Sequence, residues 1–288
     1  MKPNQTIRTA ITMTLVVAAL FLGRLLWVHY MDSPWTRDGR VRADVVDIAP
    51  DIAGLVVQVA VRDNQYVHKG DLLFSIDPEH YRNALDAAQA LVDERRSALD
   101  MKMGDAARRS AVDDSVVSRE DRQDALLAAA SARARYLEAR ALRDQARLNL
   151  DRTQVRSPVD GWVSNLLVRP GDFAHVGTAE LAVIDQHSFW VYGYFEENKI
   201  ALVSVGDPAE VRLLGSGKTV HGHVESIAHG ISDRDNPADA HLLANVNPSF
   251  NWVRLAQRVP VRIRLDAIPA ALVAGMTCTV VIHPRGET

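Results

Sequence analysis

The sequence is poor in cysteine and has no excess of positive charge. Cys278 is the only cysteine among 288 residues, so neither an intramolecular disulfide nor a multi-thiolate metal site can form within the chain. This residue lies in an apolar stretch with strand character, where an inert thiol is expected. The formal net charge is −3. Because binding to nucleic acid depends on neutralising phosphates with Lys and Arg, nucleic acid is excluded as a partner.

Sequence signatures of catalysis are missing as well. The chain has no G-x-S-x-G nucleophile elbow. Gly217, Lys218 and Thr219 look like the end of a phosphate-binding loop, but Arg212 stands where the first glycine of that loop is required. Four histidines could be considered as metal ligands: His221, His223, His229 and His241. They lack the compact spacing of a metal site, so we interpret them as polar residues of strands. The sequence therefore predicts a protein that is not an enzyme and has no catalytic, cofactor-binding or metal-binding residues.

The N-terminal region carries an uncharged, mostly apolar run from Thr9 to Gly23. This run alone is shorter than a ~30 Å hydrocarbon core, but it becomes long enough if the helix continues to Tyr30 with Arg24 extending toward the interface. A cleaved signal peptide is the alternative, yet no small-x-small cleavage site follows the run. We therefore expect residues 1–31 to form a tail and a single transmembrane anchor. The charges on either side do not decide its orientation.

Two segments of the chain repeat each other. The first runs from Ile48 to Asp77 and the second from Val155 to Asp185. Both alternate apolar and polar residues between glycine-containing turns, which predicts short strands with turns at Gly54 and Gly70 in the first copy and at Gly161 and Gly177 in the second. One copy is too short to bury an apolar face alone. We therefore expect residues 44–77 and 153–187 to be the two halves of one small β-sandwich.

The segment between the two copies, residues 78–152, is predicted to be an antiparallel helical hairpin. Pro78 suits the first helical position after Asp77, and no further proline occurs before Pro158. Ser118 and Asp121 form a capping pattern that starts the second helix, with the turn before it. A heptad register places Leu127, Ala134, Ala141 and Leu148 at a, and Ala130, Leu137, Asp144 and Asp151 at d. The first helix has a weaker stripe of Leu85, Ala88, Val92 and Leu99.

Met101-Lys102-Met103 matches the local sequence at which biotin is attached to carrier proteins. The carrier lysine stands on a tight turn between two directly joined halves, whereas Lys102 lies inside a predicted helix. A solvated helical lysine is therefore the favoured interpretation, and a biotin or lipoyl carrier protein is the disfavoured alternative.

The organisation resembles the membrane fusion protein (HlyD-like) family of periplasmic adaptors, in which a lipoyl-like, barrel-sandwich hybrid module is split by a helical hairpin. Within the family, the likeness is strongest to adaptors of efflux pumps for aromatic carboxylic acids such as p-hydroxybenzoate. Adaptors of drug exporters share part of it and remain the alternative. Five blocks carry the resemblance: Ser33–Val56, Asp63–Asp77, Ser118–Asp121, Ser157–Leu166 and Asn251–Asp266.

The resemblance implies a multidomain α+β protein in the periplasm of a Gram-negative bacterium. It implies an inner-membrane anchor with a cytoplasmic N-terminus, an inner-membrane transporter partner and a TolC-type outer-membrane duct. Alternating strands after Asp185 are consistent with a C-terminal β-barrel over residues 188–288, to which residues 32–43 could contribute. We also expect a homo-oligomer, either a hexamer or a trimer of dimers, because a single hairpin cannot enclose a channel.

In relatives that dock on the duct, the hairpin tip carries Arg, Leu and Ser at fixed spacings. Ser118 matches that serine, whereas Ala107 and Ala111 stand at the Arg and Leu positions, and Arg108 lies next to the first of them. Duct contact through Ser118, Arg119 and Arg108 is therefore the functional hypothesis. A purely helix-capping role for Ser118 is an equal alternative.

Overall fold

A computed structural model describes residues 3–27, 33–113, 116–215, 217–231, 256–269 and 272–284. Tyr30, His241 and the first five residues of the block Asn251–Asp266 lie outside them. In chain order the helices and strands are α1 (Pro3–Trp27), β1 (Trp35–Arg42), β2 (Val45–Ile48), β3 (Gly54–Val59), β4 (Tyr66–Val67), β5 (Leu72–Ile76), α2 (Glu79–Ser110), α3 (Arg119–Asp151), β6 (Gln154–Arg156), β7 (Gly161–Ser164), β8 (Phe173–Ala174), β9 (Leu181–Asp185), β10 (Trp190–Glu196), α4 (Glu197–Ile200), β11 (Pro208–Leu213), β12 (Thr219–Ile227), β13 (Arg258–Leu265) and β14 (Thr277–Ile282).

The chain divides into two compact units, one of Met1–Asp44 with His187–Thr288 and one of Val45–Gln186. The first contains a closed antiparallel barrel with strand order β1-β10-β13-β12-β11-β14. Its strands alternate buried and exposed residues, as expected for strands with one face in a core. Buried side chains meet in pairs across β11 and β14: Ala209 with Ile282, Val211 with Val280, and Leu213 with Cys278.

The second unit contains two four-stranded sheets, ordered β2-β9-β7-β4 and β6-β5-β3-β8. Each sheet takes two strands from each half of the sequence repeat. Exchanging the equivalent strands, β2 for β6, β3 for β7, β4 for β8 and β5 for β9, converts one sheet into the other. The predicted mixed fold with a split sandwich is therefore confirmed, but the halves interleave and do not form one sheet each.

The core of this module shows the same equivalence. Residues that correspond in the two copies are both almost fully buried: Val56 with Val163, Val67 with Ala174, Phe74 with Leu181, and Ile76 with Val183. Such a two-fold core lets two short, similar sequences bury their apolar faces together, which neither could do alone.

The membrane anchor predicted for residues 1–31 is wrong, and with it the predicted single-pass location in the inner membrane. Across the residues given above, no helix is both long enough and apolar enough to cross a bilayer. Helix α1 includes Arg8 and Arg24, and the uncharged run between Thr9 and Gly23 rises only about 22 Å, against ~30 Å of hydrocarbon.

Candidate functional site

The helical hairpin rises from two neighbouring strands of the module. Strands β5 and β6 pair antiparallel, with Phe74 opposite Val155, and α2 and α3 replace the short turn that would otherwise join them. Helix α2 begins at Glu79, one residue later than predicted, and Asp77 Oδ1 accepts a hydrogen bond from the Glu79 amide at 3.0 Å. The helices contain 32 and 33 residues, so each is about 50 Å long.

The seam between the two helices is built from small and large residues. Val92, Leu99 and Ala106 of α2 are buried against a face of α3 that includes Ala125 and Ala139. In the third of the hairpin nearest the β-module, Arg143 Nη1 donates to Gln89 Oε1 at 3.1 Å. The α2 stripe predicted from the sequence therefore faces the seam.

The register predicted for α3 is wrong. All eight residues assigned to its a and d positions are exposed: Leu127, Ala130, Ala134, Leu137, Ala141, Asp144, Leu148 and Asp151. The seam uses the row of Ala125, Ala132, Ala139 and Ala146 instead. Alanine allows the helices to approach closely while Val92 and Leu99 fill the space from the other side. Because α3 contains alanine on every face, a heptad count alone could not identify the face that packs.

At the hairpin tip, Ser118 is the N-cap of α3. Its hydroxyl accepts from the Asp121 amide at 3.1 Å and donates to Asp121 Oδ2 at 2.6 Å. The proton of the Ser118 hydroxyl is therefore already donated to a hydrogen bond within the tip. Ala107 and Ala111 are exposed at the end of α2, where the Ala111 amide donates to the Ala107 carbonyl at 3.1 Å.

Two exposed arginines flank this cap. The Arg108 side chain is 74% exposed and lies 3.4 Å from Asp105 Oδ1, and Arg119 is the exposed first residue of α3. The three residues predicted to contact a duct therefore all lie at the same end of the hairpin. Their contact with a duct stays a prediction.

Two further arginines, which the sequence analysis did not identify, join the two arms of the hairpin at its tip. Arg122 Nη2 donates to the Val112 carbonyl at 2.6 Å, and Arg109 Nη1 donates to the Asp121 carbonyl at 3.4 Å. Each contact joins α2 or its following turn to the start of α3. Both carbonyl acceptors belong to the backbone, so no side-chain pattern in the sequence indicates these bonds.

The four module glycines play two different roles. Gly70 and Gly177 have φ of +94° and +75°, so they form the predicted turns with a backbone that other residues adopt at a cost. Gly54 and Gly161 instead begin strands β3 and β7. A Cβ on Gly161 would lie 1.9 Å from the Ile184 carbonyl oxygen, and one on Gly54 would lie 2.6 Å from Ile76 Cγ2. The turn prediction is thus wrong for Gly54 and Gly161, where close packing excludes a side chain.

The other candidate residues do not assemble into a reactive centre. Lys102 is exposed in α2, and Gly217 lies in the turn between β11 and β12. His223 Nδ1 lies 3.1 Å from Asp266 Oδ1, and within the described part of the chain no three His, Cys, Asp or Glu residues are placed to hold a metal ion. Burial raises the pKa of the Cys278 thiol to about 12, so the thiolate is disfavoured at neutral pH.

Comparisons with known proteins agree with this architecture. Residues 44–186 match the family model described as RND MFP, barrel-sandwich hybrid domain, and residues 188–283 match the AAEA-like beta-barrel domain. The family that these models describe is that of the membrane fusion proteins, which are non-enzymatic adaptor subunits of efflux pumps. The chain belongs to this family. Uncharacterized protein YdhJ of Escherichia coli K12 is 41% identical over 280 residues, covering 96% of this chain and 98% of that relative.

Two solved structures share the fold. The membrane fusion protein Spr0693 from Streptococcus pneumoniae R6 has a TM-score of 0.64 at 16% identity, over 88% of this chain and all of that one. A MacA-MexA chimeric protein with the Pseudomonas aeruginosa MexA α-hairpin domain has a TM-score of 0.60 at 23% identity, over 88% of this chain and 82% of that one. The family assignment therefore confirms the predicted adaptor class and leaves partners and cargo open.

Proposed function

We propose that this adaptor joins an inner-membrane transporter to a TolC-type outer-membrane duct and that the hairpin tip meets the duct. The observation that carries the proposal is the position of Arg108, Ser118 and Arg119, all exposed at the end of the hairpin farthest from the β-module. Arg109 and Arg122 join the two arms of the hairpin next to these exposed groups, through hydrogen bonds to backbone carbonyls.

The two exposed arginines are better suited to the contact than Ser118. The serine hydroxyl already donates and accepts within the capping motif, whereas the Arg108 guanidinium is 74% exposed and has donors to spare. Arginine side chains are favoured where carboxylates must be bound with defined geometry. We therefore expect the tip to recognise acidic groups or backbone carbonyls on the duct.

A charge-reversal experiment tests the tip. Arg108→Glu combined with Arg119→Glu should abolish export in cells lacking the native adaptor and should remove a cross-link between a photo-reactive residue at the tip and the duct. Arg135→Glu, an exposed change in the middle of α3, is the matched control and should leave both unchanged. Unaltered export by the double variant at normal expression would contradict tip contact.

For the cargo we propose aromatic carboxylic acids such as p-hydroxybenzoate. Support comes from the sequence resemblance and from the match of residues 188–283 to the AAEA-like barrel. Deleting the gene should sensitise cells to p-hydroxybenzoate, and the wild-type gene should restore resistance. Equal growth of both strains on p-hydroxybenzoate, together with a new sensitivity to drugs, would favour the drug-export alternative.

For the assembly we propose a ring of copies, a hexamer or a trimer of dimers. One pair of helices about 50 Å long has no interior through which a solute could pass, whereas several pairs side by side can surround one. Chemical cross-linking in cells should yield a ladder that ends at six copies. A ladder that stops at one copy would contradict the ring.

A further inference from the structure

The face of α3 that points away from α2 is apolar and exposed, and no other described element of the chain packs on it. It is the row of Leu127, Ala134, Ala141 and Leu148, named here the α3 edge. Leu127 is 59% and Leu148 is 42% exposed. Residues seven apart share a helix face, and this row lies opposite the alanines of the seam. Single exposed leucines are normal on a protein surface, whereas an apolar row that runs along one face of a long helix offers a surface to another molecule.

The corresponding face of α2 is made of small or polar residues. It is the row of Asn83, Ala90, Ser97 and Gly104, named here the α2 edge, opposite the buried Val92 and Leu99. A Cβ on Gly104 would meet only Arg108 Nη1, at an ordinary 3.5 Å. Glycine destabilises a helix interior relative to alanine, and the hairpin itself does not require it here. The space above Gly104 is therefore available to a partner.

The two edges match in height along the hairpin. The hydrogen bond between Gln89 and Arg143 sets the level at which the antiparallel helices face each other. Counting from it, Leu127 lies one residue, or about 1.5 Å, from the level of Gly104. Leu148 is offset by the same amount from Asn83. Leu127 thus stands at the height of Gly104, which has no side chain, and Leu148 stands at the height of the polar Asn83.

Each helix also carries a row of one charge to one side of its edge, about 60° round the helix on α2 and about 100° on α3. On α2 the row is Asp86, Asp93 and Asp100, and on α3 it is Arg133, Arg140 and Arg147, all six exposed. Each arginine lies one residue from the level of an aspartate. Among the ion pairs of the described hairpin none uses these six side chains, although Asp93 accepts from Gln89 and Arg140 lies over the Tyr136 ring.

We propose that the α3 edge of one copy packs along the α2 edge of a second copy whose hairpin points the same way, so that the two contacting helices run antiparallel. Leu127 of one copy then fills the space over Gly104 of the next, and three Asp–Arg pairs form along one side of the contact. Each copy offers one edge of each kind, so the contact is heterologous and can continue around a ring. The inference rests on the assembly proposed above and assigns its surface.

Charge exchange tests this surface on the purified full-length protein. The variants are D86R/D93R/D100R, R133D/R140D/R147D and the six-fold exchange that combines them. Each triple variant should self-associate at least tenfold more weakly than wild type in sedimentation at low salt, because like charges then face each other. A 1:1 mixture of the two triples should recover association in an alternating assembly, and the six-fold variant should recover it alone. Arg135→Asp is the control and should associate as wild type does.

Gly104 gives an independent measurement. Gly104→Leu should weaken association at least tenfold while leaving the helical circular dichroism unchanged, and Gly104→Ala should weaken it less. The proposal is overturned if wild type stays monomeric, if folded triple variants associate normally, or if the mixture and the six-fold variant both fail to recover. Because no transporter or duct is present, failure here differs from failure of the tip variants in cells, which would overturn the proposed function alone.

Discussion

Substituting Gly161 by alanine should disrupt the split module far more than substituting Gly177. The added Cβ would lie 1.9 Å from the Ile184 carbonyl oxygen, and real Cβ atoms stay at least 3.0 Å away, so β7 and β9 must separate locally by about 1.1 Å. Strand β7 cannot simply move aside, because it pairs with β9 on one side and β4 on the other. We expect a loss of about 3 kcal/mol, the upper range for overpacking a tight site.

Gly177→Ala is the comparison variant, in which the added Cβ meets no other atom. Nothing lies within 4 Å of its added Cβ, so only the φ of +75° is unfavourable. That strain of ~1 to 2 kcal/mol is partly offset by the lower entropy of the unfolded chain, leaving a net loss of about 1 kcal/mol.

Native-state hydrogen exchange of peptides from β7 and β9 measures both losses in the intact chain without assuming a single unfolding transition. If Gly161→Ala costs no more than Gly177→Ala, the close approach of the two strands is not what requires glycine.

Two further predictions concern single side chains. Ser118→Ala should cost the tip about 1 kcal/mol by removing the acceptor of the Asp121 amide, whose exchange should then quicken about fivefold, while Ser118→Asp should preserve protection. The folded state raises the pKa of Cys278 from 9.0 to about 12, so the thiol's contribution to stability is complete below pH 9 and declines as the pH rises toward 12. Wild type should therefore lose more unfolding free energy than Cys278→Ala between pH 8 and pH 11, and equal losses would contradict the assigned burial.

The β-module was largely predictable because its signal is repetition. Two copies with matching glycines indicate two similar sets of strands, and their shortness indicates that they share a core. The interleaving was not predictable, since pairing β5 with β6 and β3 with β8 depends on contacts between copies that alternation along one strand does not encode. The same limit explains Gly161, whose need for glycine comes from a carbonyl on another strand.

In the hairpin, the helices could be predicted from the sequence but the packing face of α3 could not. The helices, the turn and the cap at Ser118 follow from local chemistry, namely the absence of proline, the helix-forming composition and the capping pattern. The packing face of α3 does not, because a helix with alanine all round presents several equivalent stripes. The heptad register was assigned from the leucines, because large apolar residues usually face a partner helix. In the structure the leucines lie on the exposed edge of α3, and Ala125 and Ala139 lie in the seam. An α2 stripe with Val92 and Leu99 needed small partners, and that complementarity was the usable signal.

The attachment of the hairpin implies that its length can be changed without affecting the module. Helix α2 begins just after β5 and helix α3 ends just before β6, and contacts that do not involve the outer turns fix this base. Tyr81 Oη donates to the Ala53 carbonyl at 2.7 Å, and the Ile76 amide donates to the Thr153 carbonyl at 2.8 Å. Farther out, the described contacts within the chain join one helix to the other.

Deleting residues 93–99 from α2 together with 133–139 from α3 therefore tests whether reach matters to function. The deletions remove one heptad from each arm at the same level, so the seam stays in register and the tip retracts by about 10.5 Å. We expect an unchanged exchange pattern in the module but loss of export, because the tip no longer reaches its partner. Deleting residues 93–99 alone should instead put the arms out of register and destabilise the hairpin. Full export by the shortened, folded protein would show that the distance between module and tip is not what the hairpin provides.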